Sequence, residues 1–228
     1  MPLPTHALTI EGGCNCRSIR YRLSLPALSD RPFHPRTDPS SALDPVRLPY
    51  TFTDHCNDCR VAVGAVLPAW ITVHVDTVTA TLLPPSTLDR PNAASRKRDT
   101  SEQTIGRQKG REVFAGPPQE DTSAENSKAP EGGGTTVRFY ESSDGVWRSF
   151  CGRCGTPLTY WHRELPDVMD FLLGTVDREI LDSEDLRPER HMWWGKGIKW
   201  VKEWIETSDS GAEAHIEDDV NIRTRVGQ

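Results

Sequence analysis

Six cysteines in three close pairs are the residues of this chain best suited to chemistry. The pairs are Cys14 and Cys16, Cys56 and Cys59, and Cys151 and Cys154. Two thiolates separated by one or two residues can bind one metal ion, and zinc takes four such ligands in a tetrahedron at roughly 2.3 Å. Three half-sites therefore predict one complete four-cysteine zinc site and a second site of unusual composition.

The middle pair is preceded by two further residues that can bind zinc. Asp54 and His55 stand just before Cys56, and both residue types are zinc ligands. A zinc ion with four protein ligands is structural, whereas three ligands and an open position are typical of catalysis. The open position can bind water or a substrate thiol as thiolate.

Two other uses of paired cysteines fit the sequence less well. Disulfide frameworks are typical of short secreted chains, and this chain has 228 residues and no signal-peptide pattern at its start. A thioredoxin-like redox pair would lie in a βαβ unit, and the sequence shows no such alternation. The pairs therefore favour zinc.

Composition and charge restrict the partners. The net charge is −6 and the pI about 5.7, which disfavours nucleic-acid binding through a basic surface. The longest nearly unbroken apolar run, residues 61–73, is too short to span a membrane. We expect a cytoplasmic protein that acts on a small molecule, with no nucleic-acid or membrane partner; the sequence leaves its oligomeric state open.

Short apolar and alternating runs predict a mainly β fold. Strands are expected around residues 8–25, 70–75, 136–140, 147–150, 157–162 and 168–176. Residues 61–67 are either a short helical turn or a buried strand, because periodicity does not separate the two at this length.

Two insertions and a tail interrupt this pattern. Residues 26–49 are rich in proline and predict a loop. Residues 84–135 are polar, with Val113-Phe114 as their one notable apolar pair, and we expect a disordered insertion between core strands. Residues 208–228 are acidic and polar and predict a flexible tail.

The cysteine motifs resemble those of a known family. Residues 12–21, 55–60 and 150–158 are similar to the three cysteine motifs of the glutathione-dependent formaldehyde-activating (GFA) family, also called the centromere protein V/GFA domain. Residues 191–194 and 199–200 resemble its closing aromatic motifs. The resemblance implies one domain over residues 8–207, with tent-like antiparallel β sheets that carry cysteine zinc knuckles.

The resemblance also implies different roles for the cysteines. Cys14, Cys16, Cys151 and Cys154 would bind a structural zinc, and Cys56 and Cys59 an active-site zinc. The family's first cysteine of that second motif falls at Asp54, which would be the third ligand.

The activity implied is that of a carbon–sulfur lyase, in which glutathione or another thiol adds to a small carbonyl compound. Arg60 could bind a carboxylate of that thiol, although a structural ion pair is an equal alternative. The aspartate at position 54, where the family has a cysteine, also suits a non-catalytic module that keeps only the structural zinc. Trp193, Trp194, Trp200 and Trp204 are expected to pack in the core or in a pocket wall.

Overall fold

The computed structural model describes residues 3–37, 45–82, 105–116, 135–207 and 213–214. The strands are β1 (Leu8–Gly13), β2 (Ile19–Leu25), β3 (Tyr50–Asp54), β4 (Ala69–His74), β5 (Val78–Leu82), β6 (Ile105–Lys109), β7 (Val137–Ser143), β8 (Val146–Cys151), β9 (Pro157–His162), β10 (Val168–Leu172), β11 (Arg190–Met192) and β12 (Glu213–Ala214). The helices are α1 (Asn57–Val63), α2 (Gly110–Phe114), α3 (Arg178–Leu181) and α4 (Lys199–Thr207).

The strands form two sheets. The smaller has the order β1-β2-β5-β6 and the larger β12-β11-β3-β4-β10-β9-β8-β7. The pairings are antiparallel except those of β11 with β3 and with β12, which are parallel. The mainly β fold with antiparallel sheets is confirmed, with a short parallel edge in addition.

Alternation along β2 explains how the sheets pack. Its residues Ile19, Tyr21, Leu23 and Leu25 are buried, while the residues between them are partly or fully exposed. This is the pattern of a strand with one face in a core. The Tyr21 ring lies 4.6 Å from that of Phe171 on β10, so the core joins the smaller sheet to the larger one.

The predicted disorder of the long insertion is wrong for residues 105–116. They form β6, which pairs with β5, and α2. Phe114 is 1% exposed and its ring lies 5.3 Å from that of Phe171. The Val113-Phe114 pair therefore buries enough apolar surface to order this stretch. Residues 84–104 and 117–134 of the insertion and the tail, except β12, lie outside the described residues.

The proline-rich stretch is a loop that packs back on the larger sheet. Val46 and Leu48 are buried in a cluster with Tyr50 and Phe52 of β3. The Leu48–Pro49 peptide bond is cis. Burial of these apolar residues holds the described part of the loop beside β3.

Two regions that the sequence did not assign to strands are helical. Residues 57–63 form α1, which ends at Gly64 with a φ of 65°, so of the two alternatives for residues 61–67 the helical turn is correct for residues 61–63. On α4, Val201 and Ile205 face the core, and Trp200 and Trp204 are 59% and 63% exposed. The expectation that these two tryptophans pack inside is wrong, because they occupy the outer face of an amphipathic helix.

Every helix in the described part of the chain is too short or too polar to span a lipid bilayer.

Gly12 permits the close approach of β1 to its neighbours. A Cβ placed there would lie 2.4 Å from Tyr21 Cζ and 2.6 Å from the Thr175 carbonyl oxygen. We expect Gly12→Ala to lower the free energy of unfolding by about 1–3 kcal/mol through overpacking. Gly174→Ala is the control, because a Cβ there meets nothing within 4 Å. Equal losses in urea denaturation of the two variants would contradict this reading.

Candidate metal centres

Four cysteine sulfurs converge where the two sheets meet. The Sγ atoms of Cys14, Cys16, Cys151 and Cys154 all lie within 4.8 Å of one another. The first two follow β1, and the last two lie at and just beyond the end of β8. Two of the sulfur–sulfur distances, 3.5 Å from Cys14 to Cys16 and 3.7 Å from Cys16 to Cys151, are close to the edge of about 3.8 Å of a zinc–sulfur tetrahedron. This set of donors fits zinc.

Two tight turns aim these sulfurs inward. In the first, Arg17 has a φ of 62° and its N–H donates to the Cys14 carbonyl at 2.9 Å. In the second, Gly155 has a φ of 76° and its N–H donates to the Cys151 carbonyl at 2.8 Å. The left-handed backbone reverses the chain within a few residues and points both thiols of each pair to one side.

Ser18 is a part of this centre that the sequence pattern did not reveal. Its hydroxyl is fully buried and lies 3.5, 3.2 and 3.4 Å from the sulfurs of Cys14, Cys16 and Cys151. Thr136 donates a hydrogen bond to it at 3.2 Å. A hydroxyl that contacts three ligand sulfurs orients them and moderates their charge.

The pKa values of the thiols in this centre are shifted in opposite directions. A hydrogen bond with Cys14 lowers the pKa of Cys151 to about 4, whereas that bond and burial raise the pKa of Cys14. Burial also raises the pKa of Cys16. Metal binding at these sulfurs must therefore release protons, so the affinity should rise with pH.

A second group of possible ligands lies at the end of β3. Asp54, Cys56 and Cys59 place a carboxylate oxygen and two sulfurs within 4.8 Å of one another. Cys56 caps α1 and Cys59 lies in its first turn, so the helix brings the two thiols to one side. Three ligand atoms, one of them oxygen, could hold a metal ion with an open position.

The short connection between β3 and α1 holds Asp54 in place. Its Oδ1 accepts a hydrogen bond from the Cys56 N–H at 2.8 Å, and the Asp54 N–H donates to the Pro68 carbonyl. Burial raises the pKa of Asp54. Burial raises the pKa of Cys59 as well, and the nearby Asp54 charge adds to this. Both groups are therefore harder to ionise here than in water, and a bound cation would favour the ionised forms.

Arg148 supplies a positive charge to this group. It is 4% exposed, and its Nη2 donates to the Cys59 Sγ at 3.2 Å. Nε donates to Ser142 Oγ at 3.1 Å, whereas Nη1 is buried and has no hydrogen-bond partner among the described residues. One donor of a fixed guanidinium therefore remains available beside Cys59.

His55 turns away from the second group. Its Nε2 lies 3.4 Å from His191 Nδ1, and its ring packs 5.0 Å from that of Trp194. Burial lowers the pKa of His55 to about 4, which keeps the ring neutral at physiological pH. Adjacent side chains of a strand end point in opposite directions, which accounts for Asp54 facing the cysteines and His55 the tryptophan.

A cavity of about 280 Å³ opens above the second group and includes Asp54, Cys56 and Cys59 in its lining. Phe52, Trp70 and Trp193 are among its apolar walls, and the lining also includes His34, Arg36 and His162. Trp193 thus lies in a pocket wall, as predicted.

The floor of the cavity is a row of polar residues on the larger sheet. Strand register places Tyr50 opposite Thr72, and Thr72 opposite Asp170. It then places Asp170 opposite Tyr160, and Tyr160 opposite Arg148. All five line the cavity, so five strands contribute to one polar surface, which we call the polar row.

Asp170 was missed at the level of sequence although a signal was present. It interrupts the apolar run Val168–Leu172, which forms β10. Burial raises its pKa to about 7, and the charge of Asp54 adds to the effect. An acidic residue in the middle of an apolar strand is unusual enough to mark a candidate site.

Arg60 lies on α1 one residue after Cys59, and its Nε is buried without a hydrogen-bond partner among the described residues. The described lining of the cavity does not include it. Its role in binding a carboxylate stays a prediction.

Residues 121–196 match the family model described as glutathione-dependent formaldehyde-activating enzyme. That range contains Cys151, Cys154 and the aromatic motif at 191–194, while Cys14, Cys16 and the Asp54–Cys59 group lie before it. A search of curated proteins found no match.

The two centres should differ in what they contribute to stability. Cys151 is fully buried and its centre draws on both sheets, so in zinc-loaded protein Cys151→Ser should lower the free energy of unfolding by about 3 kcal/mol or more. Cys56→Ser, at the edge of the cavity, should lower it by less than Cys151→Ser does, because it loses only the ion of the three-ligand group and leaves the junction of the two sheets intact. Urea denaturation measures both values, and a loss for Cys56→Ser as large as for Cys151→Ser would contradict the assignment.

Asp170 should make stability fall as the pH rises. Its pKa is about 7 in the folded chain and about 3.9 in an unfolded one, so the folded state keeps a proton that the unfolded state has lost. Stability is therefore greatest below the unfolded value and declines up to about pH 7. The free energy of unfolding of Asp170→Asn, relative to that of the natural chain, should rise by about 2 kcal/mol from pH 5.5 to pH 8.

Urea denaturation at the two pH values measures this difference. The control is Asp167→Asn, an exposed aspartate that pairs with Arg111. A difference between Asp170→Asn and the natural chain that is independent of pH would show that Asp170 ionises as it does in water.

Proposed function

We propose that this chain, which the match over residues 121–196 assigns to the glutathione-dependent formaldehyde-activating family, is a zinc-dependent carbon–sulfur lyase. It would join a thiol, glutathione or another, to a small carbonyl compound and cleave the adduct again. One observation carries the proposal: three possible metal ligands, Asp54, Cys56 and Cys59, line an open cavity. Family membership alone does not identify a substrate, so the argument rests on this site.

The two centres suit two different tasks. Four sulfurs complete a tetrahedron and leave no position for a substrate, which is typical of a structural zinc. Three ligands that face a cavity leave a position open. Zinc held there by Asp54, Cys56 and Cys59 would supply Lewis acidity and keep a substrate sulfur ionised at neutral pH.

The protein groups around the cavity support this chemistry. Phe52, Trp70 and Trp193 shield one side from water, which strengthens electrostatic interactions inside. Arg148 holds the Cys59 sulfur through Nη2 and leaves Nη1 as a donor for an oxygen that gains negative charge.

The edge of the cavity supports a thiol substrate with carboxylates, such as glutathione. Arg36 lies in the lining with His34 and His162, and its ion pair with the exposed Glu164, at 3.6 Å, is weak enough to be exchanged. Arg36 is therefore a better candidate than Arg60 for contact with a substrate carboxylate.

A non-catalytic zinc module is the second candidate, and Asp54 is the observation that favours it. A carboxylate oxygen is a harder ligand than a thiolate sulfur, so this site is harder than one made of three thiolates. Burial also raises the pKa of the Asp54 carboxyl. If the site binds zinc too weakly to stay loaded, only the four-sulfur centre would remain.

Zinc counting separates the two candidates. The enzyme should hold two zinc ions per chain, and Cys56→Ser should release one without unfolding. Asp54→Asn should lower the affinity for the second zinc ion by at least about 10-fold. That is the lower end of the loss seen for groups that only orient a metal ligand. Asp58→Asn is the matched control, because Asp58 is exposed and lies outside the ligand group.

Activity is tested on the same proteins. Exchange between glutathione, carbon-13 formaldehyde and their adduct is followed by nuclear magnetic resonance, and the experiment is repeated with larger aldehydes. Acceleration by the two-zinc protein, lost in Cys56→Ser, is the expected result. A single zinc that Cys56→Ser does not remove, with no acceleration for any aldehyde, would establish the non-catalytic module.

A further inference from the structure

The polar row carries one carboxyl group that the metal chemistry leaves unused. Of the aspartates in the cavity lining, Asp54 belongs to the ligand group and Asp58 is exposed at the edge. Asp170 belongs to neither class. It stands on β10, in the middle of the floor, between Thr72 on one neighbouring strand and Tyr160 on the other.

Asp170 lowers the stability of the fold at this position. Its neighbours along the strand, Met169 and Phe171, are 1% and 0% exposed, and no cationic group of the described residues lies within ion-pair distance of it. Thr72 and Arg148 favour its ionised form, but burial disfavours that form more strongly, and a threonine or asparagine would serve the sheet better. Such a residue in a cavity is more readily explained by function than by stability.

The reaction proposed above needs a group of this kind. When a thiolate adds to a carbonyl carbon, the electron pair of the C=O π bond moves to oxygen, and that oxygen must receive a proton. In cleavage the hydroxyl proton must leave as the carbon–sulfur bond breaks. A positioned acid that later acts as a base accelerates both directions by about 10²–10⁴-fold.

We infer that Asp170 is the catalytic acid and base of this site, a role that rests on the proposed function. In the addition step, sulfur donates a lone pair to the carbonyl carbon, the C–S bond forms, and the Asp170 carboxyl gives its proton to the oxygen. The products are the hydroxyalkyl thioether and the Asp170 carboxylate. In cleavage the carboxylate takes the hydroxyl proton, the C=O bond re-forms, and sulfur leaves with the electrons of the C–S bond.

The other titratable groups in the row are less suited to this role. Burial raises the pKa values of Tyr50 and Tyr160, so both phenols stay protonated and cannot act as bases near neutral pH. The pKa of Asp170 lies near neutrality, where both of its forms are populated. Thr72 on β4, Asp54 on β3 and Arg148 on β8 act on the charge of Asp170. The phenols of Tyr50 on β3 and Tyr160 on β9 are in turn affected by it.

The test compares Asp170→Asn with the natural chain and with Asp167→Asn. Adduct exchange is measured with glutathione and carbon-13 formaldehyde between pH 5.5 and 8.5, on proteins loaded with zinc and counted for it. Asp170→Asn should lower kcat by about 100-fold or more, leave KM and the zinc count nearly unchanged, and lose the pH dependence of the rate that the Asp170 carboxyl produces. Asp167→Asn should behave as the natural chain does.

An infrared difference spectrum gives a readout that does not depend on turnover. The natural chain at pH 6 should show the band of a protonated carboxyl that Asp170→Asn lacks, and the band should fade above about pH 7, the pKa of Asp170. If Asp170→Asn does not fold, Asp170→Glu takes its place: a retained but shifted pH dependence of the rate supports the role, and an unchanged one overturns it.

The outcomes distinguish this inference from the proposed function. If the natural chain accelerates exchange and Asp170→Asn keeps a similar kcat, or loses its rate through KM or zinc alone, Asp170 is not the acid and base and the lyase assignment stands. If the natural chain accelerates exchange with no aldehyde, the lyase assignment fails and the role of Asp170 fails with it.

Discussion

The convergence of four cysteine sulfurs at the junction of the two sheets is the constraint on which the rest of the structure depends. Cys14 and Cys16 extend from the smaller sheet, and Cys151 and Cys154 from the larger one. Their approach within 4.8 Å brings residues about 135 positions apart in sequence to one point. A metal ion there would act as a cross-link that closes a very long loop, and such links restrict the unfolded chain most. The common core around Tyr21 and Phe171 lies between the same two sheets.

With the sheets joined in this way, the larger sheet can give one face to a reaction site. Five adjacent strands place polar side chains in register on the cavity floor, and β3 leads directly to the second ligand group. Several of these features oppose stability: a carboxyl within an apolar strand, an arginine whose Nη1 has no hydrogen-bond partner in the described part of the chain, and a metal ligand whose ionisation burial disfavours. Local departures from good packing rules are expected where function requires them, and here they lie around one cavity.

Much of this was visible in the sequence because it depends on local patterns. The cysteine spacings predicted two sites of different composition, and the resemblance to the family's second cysteine motif implied Asp54 as the third member of the second. The polar row was not visible, because strand register decides which residues face each other and single strands do not encode their neighbours. Disorder was wrongly expected for residues 105–116, because Phe114 gains its stability from Tyr21 and Phe171, which are distant in sequence.

The central claim is that the chain has two unlike metal centres, one closed and one open to a cavity. A crystal structure of the zinc-loaded protein, with the anomalous signal of zinc, tests this claim most directly. Our account predicts two peaks per chain: one with four sulfurs at roughly 2.3 Å, and one with the sulfurs of Cys56 and Cys59 and an oxygen of Asp54 at about 2.0–2.2 Å. A single peak among Cys14, Cys16, Cys151 and Cys154, with no density for metal beside Asp54, would contradict it.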